Sequence, residues 1–151
     1  MTSEPESQRP VLFAYDGSGF AKAAIEEAGR ELPDGRAALV LTIWQPLDSI
    51  PFLGAPFAVI PQEFAEGVEK RAGEIAAEGA ELAREAGFVA EPLVSEGLPV
   101  WRRVVDVAEE RDAGLIVLGS HGRTGADYVL LGSVATAVAQ HSKRPVLIVH
   151  V

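Results

Sequence analysis

The chain predicts an α/β domain built on a single five-stranded parallel sheet with helices on both faces. Three observations carry that prediction. Apolar, β-rich runs alternate with helix-period segments from one end of the chain to the other. Three of the runs are continuously apolar instead of alternating, as strands covered on both faces are. The length of 151 residues suits one domain, which buries roughly two-thirds of the surface of its unfolded chain and needs no covalent staple.

Taken in order, strands are expected at residues 11–15, 38–44, 89–95, 115–118 and 146–150, the third being the weakest. Helices are expected over 18–32, 62–86 and 99–111, with a last one ending near Gln140. The 62–86 helix has the clearest pattern. Phe64, Val68, Ala72, Ile75, Gly79, Leu82 and Ala86 recur every three or four residues and define its apolar face. Gly87 follows as a C-terminal stop. Pro99 suits the first turn of the next helix, where a missing N–H costs nothing. Residues 1–9 are polar, lack the parts of a signal peptide and read as a disordered tail, leaving 10–151 as the domain. No apolar run approaches the ~20 residues that cross a bilayer, so a cytoplasmic protein with no membrane partner is expected.

Residues 45–61 break the short-loop pattern. Pro46, Pro51, Pro56 and Pro61 alternate there with Ile50, Phe52, Leu53, Phe57, Val59 and Ile60. A connection this long reads as a lid, a contact surface or an apolar flap over the sheet edge, since proline disfavours both helix and strand. Composition removes other classes. With no cysteine, disulfide scaffolds, thiolate metal sites and thiol catalysis are excluded. A formal charge of −9 repels phosphate backbones at long range, which argues against generic nucleic-acid binding.

In an open parallel sheet, ligands lie outside the carboxyl ends of the strands. Two expected strand ends carry unusual residues: Asp16-Gly17-Ser18-Gly19 after the first, and Gly119-Ser120-His121-Gly122-Arg123-Thr124-Gly125 after the fourth, followed by Gly132-Ser133. Gly119 and Gly122 lack a Cβ, so a ligand can approach the main chain and meet its N–H groups. Ser133 opens the apolar helical run Val134, Ala135, Ala137, Val138 and is placed at its N-cap or first turn. Unpaired N–H groups and the positive dipole end make such a terminus an anion site. Arg123 adds charge and, with Thr124, donors for phosphate oxygens. Polyphosphate is the ligand this chemistry fits. The competing reading is a plain strand-to-helix turn. Neither a P-loop nor a dinucleotide G-x-G-x-x-G is present.

At these residues the chain resembles the universal stress protein family, specifically its ATP-binding branch. Gly119, Gly122, Gly132 and Ser133 match that branch's G-x2-G-x9-G-S/T motif without a gap. The likeness runs over residues 10–151 and includes Asp16-Gly17-Ser18, Gly97-Leu98-Pro99 and residues 144–149. It implies the strand order 3-2-1-4-5, which brings Asp16 and the glycine loop to one crevice. It also implies an adenine nucleotide, ATP or else AMP or ADP, with Mg or Mn. Ala14 and Ile43 would line the adenine pocket, Ile43 partly through its backbone. Asp16 would lie near the ribose or a nucleotide-bound divalent cation. The triphosphate would lie across Gly119, Ser120, Gly122, Arg123, Gly132, Ser133 and Val134. The likeness further implies a homodimer through the last strand, residues 146–151, and a role as a nucleotide-dependent switch or sensor in stress response.

Plainer readings stand beside these. Asp16 also suits an N-cap, and Ile43 suits strand core. His121 reads as an exposed loop imidazole ahead of a phosphate ligand. His141 reads as a partner of a helix dipole, Trp44 as packed under the 45–61 segment and Trp101 as helix–sheet core. Phosphoryl transfer needs an oriented nucleophile as well as charge neutralisation. No second carboxylate or catalytic lysine accompanies Asp16, so at most slow ATP hydrolysis is expected. Two other classes compete: an interaction dimer whose nucleotide is incidental, and a flavodoxin-like FMN carrier. The carrier is disfavoured because its loop would hold one hydroxyl, Ser18, and a carboxylate. A phosphoreceiver domain lacks an acceptor Asp at Val94-Ser95-Glu96.

Overall fold

The computed structural model describes residues 5–45, 61–122 and 131–150. The 46–60 part of the proline-rich segment, Arg123, Thr124 and Val151 lie outside the described residues. In chain order the elements are β1 (Val11–Ala14), α1 (Gly19–Glu31), β2 (Ala37–Trp44), α2 (Gln62–Glu85), β3 (Val89–Glu96), α3 (Val100–Glu110), β4 (Leu115–Gly119), α4 (Ser133–His141) and β5 (Val146–Val149). Within the stretch read as a tail, Glu6–Gln8 form one 3-10 turn.

All five strands are parallel, in the order β3-β2-β1-β4-β5. β1 is central: Val11 stands opposite Ala38 on one side and Leu115 on the other. Because side chains alternate along a strand, β1 feeds two cores. Val11 and Phe13 pack with Ala24, Ile25 and Ala28 of α1 and Ile75, Ala80 and Ala83 of α2. Leu12 packs on the opposite face with Val104, Val107 and Ala108 of α3 and Ala135 and Val138 of α4. The continuously apolar runs are therefore a direct consequence of burial on both faces.

The α2 face differs from the periodic reading in its first turns. Burial begins at Ala72 and continues through Ile75, Ala76, Gly79, Ala80 and Ala83, whereas Phe64 is 66% exposed. In those first turns Phe64 and Val68 line a cleft together with Trp44 at the end of β2. The helix stops as expected, with Gly87 at φ +103°, a backbone region open to glycine. Trp101 is half-buried, packs against the core that α3 and α4 share with the sheet, and also stacks on His141 at 4.5 Å. His141 is the last residue of α4, where a positive charge is favourable.

Candidate functional site

β1 leads to β2 on one side of the sheet and neighbours β4 on the other, so connections diverge there and leave a crevice at the carboxyl ends. That crevice is a cleft of about 570 Å³. Its walls combine strand ends (Ala14, Leu41, Ile43, Leu118, Gly119) with Val100 and Val104 of α3 and Ser133, Val134 and Ala135 of α4. Two further clefts, each about 700 Å³, flank it, and Asp16 lines all three.

The helices that begin at this crest are finished differently: α1 has a side-chain N-cap, whereas the cap residues of α2 (Pro61), α3 (Pro99) and α4 (Gly132) make no side-chain cap hydrogen bond. At α1, the Ser18 hydroxyl accepts from Ala21 N at 3.2 Å, and Asp16 Oδ1 accepts from Ser18 N at 3.0 Å. Ser18, not Asp16, is thus the N-cap. At α4, Gly132 occupies the cap position with no side-chain cap hydrogen bond. Ser133 is the first helical residue, and the first-turn residues Ser133, Val134 and Ala135 line the cleft. With no side-chain acceptor at its cap residue Gly132, the first turn of α4 directs N–H groups and a positive dipole end toward the cleft it lines.

The glycine positions have separate jobs. A Cβ on Gly119 would lie 2.8 Å from both the carbonyl carbon and oxygen of Phe20, so this glycine lets β4 close against α1. A Cβ on Gly122 would lie 2.9 Å from Asp16 Oδ2, so this one leaves room for the carboxylate. Gly132 N donates to Ser120 O at 2.7 Å, bringing together residues twelve positions apart in sequence. A Cβ on Gly132 would sit 3.2 Å from that same oxygen.

Of the residues singled out in the sequence, Ala14, Asp16, Ile43, Gly119, Gly122, Gly132, Ser133 and Val134 all line the central cleft. Ser120 lies behind it. It is 2% exposed, donates its N–H to Val149 O at 2.9 Å and has its hydroxyl 3.1 Å from His121 Nδ1. Arg123 lies outside the described residues. His121 is half-buried instead of exposed and lines the cleft, its ring 5.2 Å from that of Phe20. Lining residues that sequence reasoning did not assign to the site include Leu41, Gln45, Val100, Val104 and Leu118. Val100 and Val104, four apart, were legible as an apolar helix face but not as a cleft wall.

Behind Asp16, Tyr15 is 3% exposed and donates its hydroxyl to Glu78 Oε1 at 2.8 Å. Glu78 also accepts from Lys22 Nζ at 3.0 Å. Burial first, and then Glu78, pushes the Tyr15 phenol well above the ordinary tyrosine value. The hydrogen bonds from Lys22 and then Tyr15 hold Glu78 below the usual carboxylate range.

Fold and crevice together define an open, doubly wound α/β protein with a ligand-sized cleft at its switch point. The chain belongs to the universal stress protein family, whose model matches residues 8–150. It is 34% identical over 141 residues to universal stress protein MJ0531 of Methanocaldococcus jannaschii, covering 93% of this chain and 81% of that one. It is also 34% identical over 149 residues to universal stress protein YxiE of Bacillus subtilis, covering 92% and 97%. Among solved structures, a universal stress protein in complex with cAMP matches with a TM-score of 0.62 at 27% identity, covering 95% of this chain and 97% of that one. Among the described residues, no helix is long and apolar enough to cross a membrane.

Proposed function

We propose that this protein binds ATP in the central cleft and acts as a nucleotide-dependent switch or sensor in stress response. The observation that carries the reading is the α4 terminus, whose cap residue Gly132 makes no side-chain cap hydrogen bond and whose first turn opens onto a cleft with apolar inner walls. Such a cleft offers an amphiphilic ligand a dry end and an anion end. The base lies between Ala14, Ile43 and the α3 wall of Val100 and Val104. The triphosphate lies along Gly119, Gly122, Gly132, Ser133 and Val134, with Ser120 supporting the loop from behind and Arg123 adding charge. The cAMP held by the relative of known structure supports an adenine nucleotide.

Asp16 takes the ribose or a nucleotide-bound Mg or Mn. It is the only carboxylate among the described residues lining the cleft, and no cluster of three ligating side chains occurs among the described residues. A hard cation held by one carboxylate and phosphate oxygens suits that donor set, so the metal arrives with the nucleotide and neutralises its charge.

Calorimetric titration with ATP, ADP, AMP and cAMP, each with Mg or Mn, tests the reading. One site per chain is expected, with ATP tighter than AMP. No heat with ATP and either metal overturns it, as does ATP turnover at about 1 s⁻¹ or faster, an ordinary enzyme rate. The same reading includes a homodimer through residues 146–151. β5 is an edge strand of the sheet, and an apolar edge invites pairing. Light scattering at micromolar concentration should give twice the chain mass, and a monomer rejects the dimer.

A further inference from the structure

The buried polar residues among those described are Thr42 and Ser120, and both sit at the carboxyl end of the sheet. Ser120 closes the glycine loop, which leaves the Thr42 hydroxyl to be explained. We propose that Thr42 is a positioning residue for Asp16, acting through the peptide that joins Tyr15 to Asp16; the inference rests on the nucleotide reading above.

The last register pair between β1 and β2 is Ala14 with Leu41. One residue further on, Tyr15 N donates to Leu41 O at 2.8 Å. The Thr42 hydroxyl then donates to Tyr15 O at 2.9 Å, in a buried contact. A peptide is planar, so fixing that carbonyl fixes the N–H and Cα of Asp16 as well. The Tyr15 side chain is held at its far end by Glu78. Its ring lies against Gly79, where a Cβ would come within 2.6 Å of Tyr15 Cδ1. Residue 15 is therefore gripped through its N–H, its carbonyl and its phenol. On the other side, Asp16 Oδ1 is held by Ser18 N, and Gly17 turns the chain at φ +81°. The carboxylate at the junction of the three clefts thus stands on a main chain fixed from both directions, and Thr42 supplies the side-chain grip on the peptide that leads into it.

Titration calorimetry with ATP and Mn on the full chain tests this, using wild type, Thr42→Val, Thr42→Ala, Thr42→Ser, Asp16→Asn and the Thr42→Val/Asp16→Asn double variant. Thr42→Val and Thr42→Ala should each weaken binding about fivefold, the size of one hydrogen bond's net contribution, and Thr42→Ser should restore it. The double variant should bind no more weakly than Asp16→Asn alone. Wild-type affinity in a hydroxyl-free variant, with only a lower melting temperature, would reduce Thr42 to a satisfied core residue and overturn the proposal. Additive effects in the double variant would overturn it too. Thr42→Ala adds no atom, so it carries the comparison if Thr42→Val does not fold. Wild type that binds no ATP defeats the nucleotide reading and this inference with it; normal wild-type binding with unaffected Thr42 variants defeats this inference alone.

Discussion

At the amino ends of the strands the protein is tied shut, whereas at the carboxyl ends it is left open. Arg144, just before β5, binds Glu109 through two hydrogen bonds of 3.1 Å and Asp112 through one of 2.9 Å. Asp112 also lies 3.5 Å from Arg9, ahead of β1, and Arg36, ahead of β2, donates to Arg9 O at 2.9 Å. Main-chain bonds add to the net, with Gly114 N on Pro10 O and Val89 N on Arg36 O. At the opposite end, three clefts meet at Asp16 and the α4 terminus has no side-chain cap. The difference teaches where the polar groups of this fold are spent. At one end charged groups pair with one another, although buried Arg9 Nε has no hydrogen-bond partner among the described residues; at the other, the first turn of α4 opens onto a cleft.

Changes that fill the open end should have the largest effects, and they should divide by which neighbour they strike. Gly119→Val drives a side chain into the Phe20 main chain of α1. It should destabilise by about 3 kcal/mol, the upper part of the overpacking range, as measured by urea unfolding. Gly122→Val strikes, among the described residues, the Asp16 carboxylate and sits in an exposed position. Its stability should stay within about 0.5 kcal/mol of wild type, while ATP affinity falls about tenfold or more. If both variants unfold alike, or if Gly122→Val binds ATP normally, the division of labour between these glycines is wrong.

The closed end should respond more gently, and to pH. The Arg144 hydrogen bonds hold Glu109 below its ordinary value of 4.5. A depressed carboxylate contributes its stability fully above the unfolded value and loses it as pH falls through the folded one. Arg144→Ala should therefore lower the melting temperature at neutral pH, and the gap to wild type should narrow as pH drops below 4.5. The gap should also shrink in about 1 M salt, where the Debye length is about 3 Å. A gap that ignores both pH and salt would show that packing, not charge, joins these strand ends. ATP affinity should be unchanged, because the pair lies at the end of the sheet away from the cleft.

Much of this was legible in the sequence, for reasons that can be named. Strand runs and helix periods survive as one-dimensional patterns because burial on both sheet faces demands continuous apolarity, as in residues 115–118. Gly119, Gly122, Gly132 and Ser133 stood out because spacing alone marks a loop that returns to a helix start. The individual duties of those glycines were not legible. Gly119 answers to Phe20 and Gly122 to Asp16, neighbours about a hundred residues away in the chain. Phe64 misled for a related reason: helical period gives a face, but what packs against that face decides where its burial begins, here at Ala72.

The sequence by itself determined the layered architecture, the element order and the crest residues that line the central cleft, because periodicity and turn chemistry act over a few neighbouring positions. Tertiary structure alone decided that α3 walls the cleft with Val100 and Val104, that α1 is capped while α4 is not, and that Thr42 grips the peptide before Asp16. Those outcomes depend on distances between segments far apart in the chain, which local preference does not encode and close packing fixes.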